Sequence, residues 1–250
     1  MSDPILLRRI DGAVARLTLN DPGRANVLSG AMMAQLSAAL ADLAADAGVH
    51  VIVLAANGRI FCAGHDLAEL QAADTAAHAA LFAQCADLMQ AIVNSPKPVI
   101  ARVQGAAVAA GCQLVASCDL AYSADTAKFA VSGVNLGLFC STPGVALGRA
   151  VGRKAALEML LTGRFVPAPE AANLGLINRC APAEGLDAAV DEAAQAIAAK
   201  APAAIALGKR VFGRQVELPL AEAYGVASAA MVENLGLACA KAGIEDFLKG

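Results

Sequence analysis

Tryptophan is absent from this chain, and Phe and Tyr together supply nine residues. A large core must therefore be packed mainly from Ala, Val and Leu. Charge is scarce as well: 16% of residues are charged, the formal net charge is −3, and no long run carries one sign. That excludes the basic footprint of a nucleic-acid-binding protein and leaves nothing to attract an anionic membrane surface. No C-x-x-C pair accompanies the seven cysteines at 62, 85, 112, 118, 140, 180 and 239, and no histidine is spaced for a zinc site. They read as reduced thiols, with no metal centre. The opening M-S-D-P-I-L-L-R-R-I has no basic leader before an apolar stretch, and no window of about 18 residues escapes a polar interruption. The expectation is a cytoplasmic protein without a membrane partner, binding a small molecule or further copies of itself.

What is present is apolar: 58% of 250 residues are hydrophobic, enough for one large domain or a core with an appendage. So much apolar surface on a chain of this length points to partly covered faces, hence to a homo-oligomer. I-L-L-R-R-I, the pair Asp11-Gly12 and A-V-A-R-L-T-L-N form a hairpin at a sheet edge. Residues 30–46 repeat apolar positions at helical spacing, and V-I-V-L-A follows as a buried strand. A helix over 75–94, the strand P-V-I-A-R-V, a helix through Ser117 and a strand near 120–122 continue the alternation, which predicts an α/β core with crossovers. Beyond Arg149 the chain reads mostly as helix, including helices over 186–200 and 221–240, with Gly163 and Gly175 at helix stops. The division is a core over 1–190 and a helical region over 191–250.

Two Gly-containing turns lead into helices: F-C-A-G-H-D-L at 61–67 and A-A-G-C-Q-L at 109–114. Helix starts carry unsatisfied N–H donors and partial positive charge, so the amides of His65 and Ala110 are candidate anion or oxyanion donors; on composition alone a Gly turn before a helix is most often only a turn. Asp66 fits a helix cap.

These two stretches, with V-Q-G-A-A-V before the second and V-N-L-G-L, L-E-M-L-L-T-G and A-A-N-L-G-L-I-N after it, resemble the crotonase superfamily, the enoyl-CoA hydratase/isomerase family, over nearly the whole chain. Within it, A-A-G-C-Q-L-V-A-S-C-D and G-V-N-L-G-L-F-C-S-T-P-G-V-A-L are most similar to the mitochondrial enoyl-CoA hydratase domain-containing group and its bacterial relatives. The resemblance implies a repeated β-β-α core with a helical C-terminal trimerisation region, and trimers or paired trimers. It implies an acyl-CoA thioester as substrate, with CoA part of that substrate and no separate cofactor. The thioester oxygen would lie between the amides of His65 and Ala110, with CoA along Arg24, Ala25 and Leu28 and beside Ala63, Gly64 and Gly111. Phe247 and Lys249 would reach the nucleotide of a neighbouring subunit. Arg24 is otherwise readable as a solvated charge.

Family hydratases carry two glutamates that position and deprotonate water; the matching positions here are Gln113 and Gly133, neither with a titratable proton. The reaction therefore stays open among an enolate-stabilising hydratase/isomerase-type step, decarboxylation, thioester hydrolysis and binding without catalysis. The loop V-N-L-G-L-F-C-S-T-P-G resembles that of the superfamily's methylmalonyl-CoA decarboxylases, which place a tyrosine where Cys140 falls. Cys140 is either a nucleophile or a small thiol packed under that loop, and the His65 ring either faces the pocket or closes its turn.

Overall fold

The computed structural model describes residues 3–249; Met1, Ser2 and Gly250, at the ends of the expected divisions, lie outside the described residues. Strands β1 (Leu6–Asp11) and β2 (Val14–Leu19) form the expected hairpin, with Gly12 at φ +57° in its turn. Helix α1 (Gly30–Ala45) starts where Ser29 Oγ accepts the Met32 N–H at 3.2 Å. There follow β3 (Val51–Ala56), β4 (Ile60–Cys62), α2 (Leu67–Ala72), α3 (Thr75–Asn94), β5 (Val99–Val103), β6 (Ala106–Val108), α4 (Ala110–Ser117), β7 (Leu120–Ala124) and β8 (Lys128–Ala130). The rest is α5 (Ser141–Ala150), α6 (Arg153–Thr162), β9 (Val166–Pro167), α7 (Ala168–Leu174), β10 (Arg179–Ala181), α8 (Leu186–Ala198), α9 (Pro202–Gln215), α10 (Leu220–Gly236) and α11 (Ala238–Lys249).

Each repeat sends one strand to each of two sheets. β3, β5 and β7 join a six-stranded sheet ordered β1-β2-β3-β5-β7-β10; β4, β6 and β8 join a four-stranded sheet closed by β9. β3 shows why its sequence is apolar throughout: Ile52, Leu54 and Ala56 face the main core, while Val51 and Val53 face a smaller core under α8. Gly163 and Gly175 end α6 and α7 in the left-handed region, at φ +61° and +85°.

Three features differ from the expected organisation. The second sheet is built from strands of two or three residues, too short for a periodic signal. The expected single helix from 221 to 240 is two helices, because Leu237 turns extended at ψ 142°. The boundary at residue 190 falls inside α8, whose Leu186, Val190 and Ala194 pack on the six-stranded sheet, so α8 belongs with the core.

On that same sheet face, Arg102 holds Asp187 with two bonds of 2.6 and 3.1 Å, and Arg16 reaches Asp191 at 2.8 Å. The hydrogen bond from Arg102 holds the Asp187 carboxyl below the usual carboxylate range. A carboxylate depressed on folding contributes stability above its unfolded value and loses it as pH falls through the folded value. Asp187 remains 62% exposed, so solvent screening limits the effect. Asp187→Asn should lower Tm by about 1–3 °C at neutral pH, with the gap closing as the pH falls through and below the ordinary carboxylate range. Thermal unfolding followed by circular dichroism at neutral and acid pH checks this; a gap that persists in acid would mean that charge pairing is not its cause.

Candidate active site

The site forms where three segments meet. Ala63 N–H donates to Ala25 O at 3.1 Å and Leu28 N–H to Gly64 O at 2.8 Å, which ties the R-A-N-V-L segment to the turn after β4. Asn26 braces this seam: it is fully buried, donates to the carbonyls of Asn57 and Ile60 at 2.8 Å each, and accepts the Asp21 N–H. Sequence reasoning passed over Asn26; its one available signal was a polar residue between Ala25 and Val27 that tolerates the left-handed region it occupies, φ +52°.

Gly64 then lies directly against the start of α4. A Cβ placed on Gly64 would stand 3.0 Å from Ala109 Cβ and 3.2 Å from Ala110 N. Ala109 itself takes φ +50° and ψ −116°, a conformation that costs a non-glycine residue about 1–3 kcal/mol. Its N–H donates to Ala130 O at 2.8 Å, and its carbonyl accepts the Gln113 N–H at 3.0 Å. Ala110 is the first residue of α4 and His65 directly precedes Asp66, the N-cap of α2. Neither amide donates a hydrogen bond among the described residues. The structure thus brings His65, Ala110, Ala63, Gly64 and the 24–28 segment to one place.

Several expected contacts change character. Gly111 serves close packing of α4 on β4: a Cβ there would stand 2.2 Å from Cys62 O. The Leu28 side chain is fully buried and so has only backbone to offer a ligand. Arg24 is engaged by Asp66 and lies 3.7 Å from Asp21. Asp66 caps α2 as expected, accepting the Ala68 N–H at 2.9 Å. Phe247 is 85% exposed and Lys249 pairs with Glu245 on α11, which packs chiefly on α9 and α10. Within one chain these two residues do not join the site.

Gln113 sits one turn into α4, buried, with Cys85 Sγ 3.9 Å from its Oε1. It also lines a cavity of about 1060 Å³ between α3, α4, α5 and α9, which His65, Ala110, Gly133 and Cys140 do not line. Gly133 lies in a 3-10 turn, Ser132–Leu136. A Cβ there would meet Leu138 O at 2.5 Å and Cys140 Sγ at 2.7 Å. Gly133 N–H donates to Cys140 Sγ at 3.3 Å and its carbonyl accepts the Leu138 N–H at 2.9 Å. Burial pushes the Cys140 thiol above its ordinary pKa, so it stays protonated at neutral pH and acts as the fastener of this loop. Burial likewise pushes Cys62 and Cys112 up to about 12.

Repeated strand-strand-helix units feeding two sheets, with a helical C-terminal region, define the crotonase class of fold. The family model described as enoyl-CoA hydratase/isomerase matches residues 9–249. The mouse protein "Enoyl-CoA hydratase domain-containing protein 3, mitochondrial" is 46% identical, covering 97% of this chain and 81% of that protein, and its human counterpart is 44% identical over 98% and 81%. The crystal structure of an enoyl-CoA hydratase from Mycobacterium smegmatis matches with TM-score 0.97 at 51% identity, over 99% of this chain and 97% of that one. That of human enoyl coenzyme A hydratase domain-containing protein 3 matches with TM-score 0.96 at 43% identity, over 98% of each. The chain belongs to the enoyl-CoA hydratase/isomerase family.

Gly133→Ala should cost about 1–3 kcal/mol, because a backbone carbonyl stands where the methyl must go. For a chain of this size that is a Tm about 3–10 °C lower, read by calorimetry. An unchanged Tm would show that the loop yields freely and can host a larger side chain.

Proposed function

We propose that the chain is an acyl-CoA-processing enzyme that polarises a thioester carbonyl between the amides of His65 and Ala110. The observation that carries this reading is the meeting of two unengaged helix-start amides, held together by a glycine in contact with a strained Ala109. Backbone donors fixed in advance stabilise an enolate oxygen without reorganisation. CoA would lie along the 24–28 and 63–65 seam. Gln113, in place of a carboxylate, orients water or substrate but moves no proton. Position 133 offers neither a side chain nor room for one. Each missing acid/base group forfeits about 10²–10⁴ in rate, so hydration should be slow.

A second reading, decarboxylation of a malonyl-type thioester, is favoured by the lack of any proton carrier at 113 and 133. Carbon dioxide leaves, the bonding pair passes to the thioester enolate, and solvent protonates the carbon. The amides would serve that step without a base.

The apolar side chains that α9, α10 and α11 leave exposed, among them Phe212, Leu220, Tyr224 and Phe247, favour assembly into homotrimers or hexamers. Phe247 and Lys249 would then reach a neighbour's nucleotide.

Titration calorimetry with butyryl-CoA and with S-butyl-CoA, a thioether lacking the carbonyl, tests the central claim. The thioester should bind at least about tenfold tighter, as two hydrogen bonds to a charge-bearing oxygen require. Equal affinities would remove the oxyanion site. In parallel, crotonyl-CoA hydration followed by absorbance should be slow in wild type and rise about tenfold or more in Gln113→Glu. Brisk wild-type hydration would mean that another group activates water.

A further inference from the structure

The two helices that begin at the site are held in different ways. α4 is buried at every position except Ala116, whereas α2 buries none of its residues. Packing therefore fixes the Ala110 amide but not the His65 amide. Polar ties hold α2 instead. Asp66, its N-cap, pairs with Arg24; His78 Nε2 bonds Leu70 O at 2.8 Å; and Glu69 Oε2 accepts the Gly30 N–H at 3.0 Å.

The Glu69 bond ties α2 to the start of α1, 39 residues away along the chain. Gly30 is the first residue of α1, and Gln84 of α3 donates to its carbonyl at 2.9 Å, so both sides of that residue are engaged. Ahead of His65, Ala63 and Gly64 are bonded to Ala25 and Leu28, and His65 itself runs as a short parallel bridge beside Leu28. Beyond it Asp66 and Glu69 carry the attachment on, to Arg24 and to Gly30. The start of α1 already has a cap of its own in Ser29. The service of Glu69 is thus to α2, which has no buried side chain to keep it in place.

We propose that Glu69 is a positioning residue for the His65 amide: by holding α2 against the first residue of α1, it keeps that N–H in register with the N–H of Ala110. The inference rests on the thioester reading of the two amides. A donor stabilises an oxyanion only from the right distance and direction, and a helix free to swing holds its donor out of reach for part of the time. The Glu69 carboxylate is engaged by Gly30, so it acts through α2 and not on the substrate. Were its role only to complete the start of α1, its loss would lower stability and weaken every ligand alike.

Titration calorimetry with butyryl-CoA and S-butyl-CoA isolates the carbonyl, since both ligands carry the same CoA. In wild type the thioester should bind at least about tenfold tighter than the thioether. In Glu69→Ala that ratio should fall to about threefold or less, with S-butyl-CoA affinity within about twofold of wild type. Glu69→Gln, whose amide oxygen can still accept the Gly30 N–H, should restore most of the ratio. Gly30→Pro removes the donor from the other side. Proline suits the first helical position, and Ser29, at φ −68° and ψ 161°, has the extended backbone that precedes a proline. This variant should repeat the loss, and it decides the matter should Glu69→Ala not fold. A wild-type ratio retained in Glu69→Ala or Gly30→Pro, an equal loss of both ligands, or no rescue by Glu69→Gln overturns the inference and leaves the thioester reading standing. A ratio near one in wild type overturns both.

Discussion

Everything at the site depends on how closely the backbone after β4 approaches the start of α4. Gly111 faces Cys62 O with no room for a methyl group, and Gly64 faces Ala109 and Ala110 with barely more. These contacts hold two chain segments at a separation that only glycine permits, and they are the reason two helix-start amides share one neighbourhood. The strain at Ala109 is supported from both sides, by the bond from its own amide to Ala130 O and by the bond its carbonyl accepts from Gln113. The second sheet, small as it is, supplies both Cys62 and Ala130. Its role is to set the register between the two turns.

The Gly133–Cys140 loop bears on the glutamate that the family resemblance implies for position 133. Had the residue simply been lost, an open place would remain beside the glycine. Instead the loop closes on itself, with a backbone carbonyl and a thiol occupying the volume next to the Gly133 Cα. The loop is thus packed for a glycine at 133, and under the proposed reading the chemistry would fall to the backbone donors and Gln113.

The α/β core was legible because burial on both faces leaves an unmistakable mark, as in V-I-V-L-A-A, and because Gly163 and Gly175 punctuate their helices in the left-handed region. The second sheet was not, since its strands are too short to alternate. Helix α9 was not, because Leu207 is its one buried residue among those described. Donor amides leave no trace in side-chain identity, so His65 and Ala110 were marked as candidates only by the Gly-containing turns before their helices and by family resemblance. At Gly111 and Leu28 packing within the chain by itself requires a small or apolar residue. Asn26 escaped notice because its partners are backbone carbonyls more than thirty residues away.

The Lys209 ammonium ties α9 to the rest of the molecule: it bonds Asp119 Oδ2 at 2.6 Å and the carbonyls of Ile92 and Lys97 at 3.0 and 3.2 Å. All three acceptors belong to the part of the chain made before residue 120, whereas α10 buries only Ala223 and α11 buries nothing. During synthesis the core can therefore close around its own contacts first, and the last three helices acquire a place to dock only once it has. Docking of the last helices thereby reports on the core: a chain whose core is misformed offers Lys209 no receptor, and its final helices find no ordered place to settle.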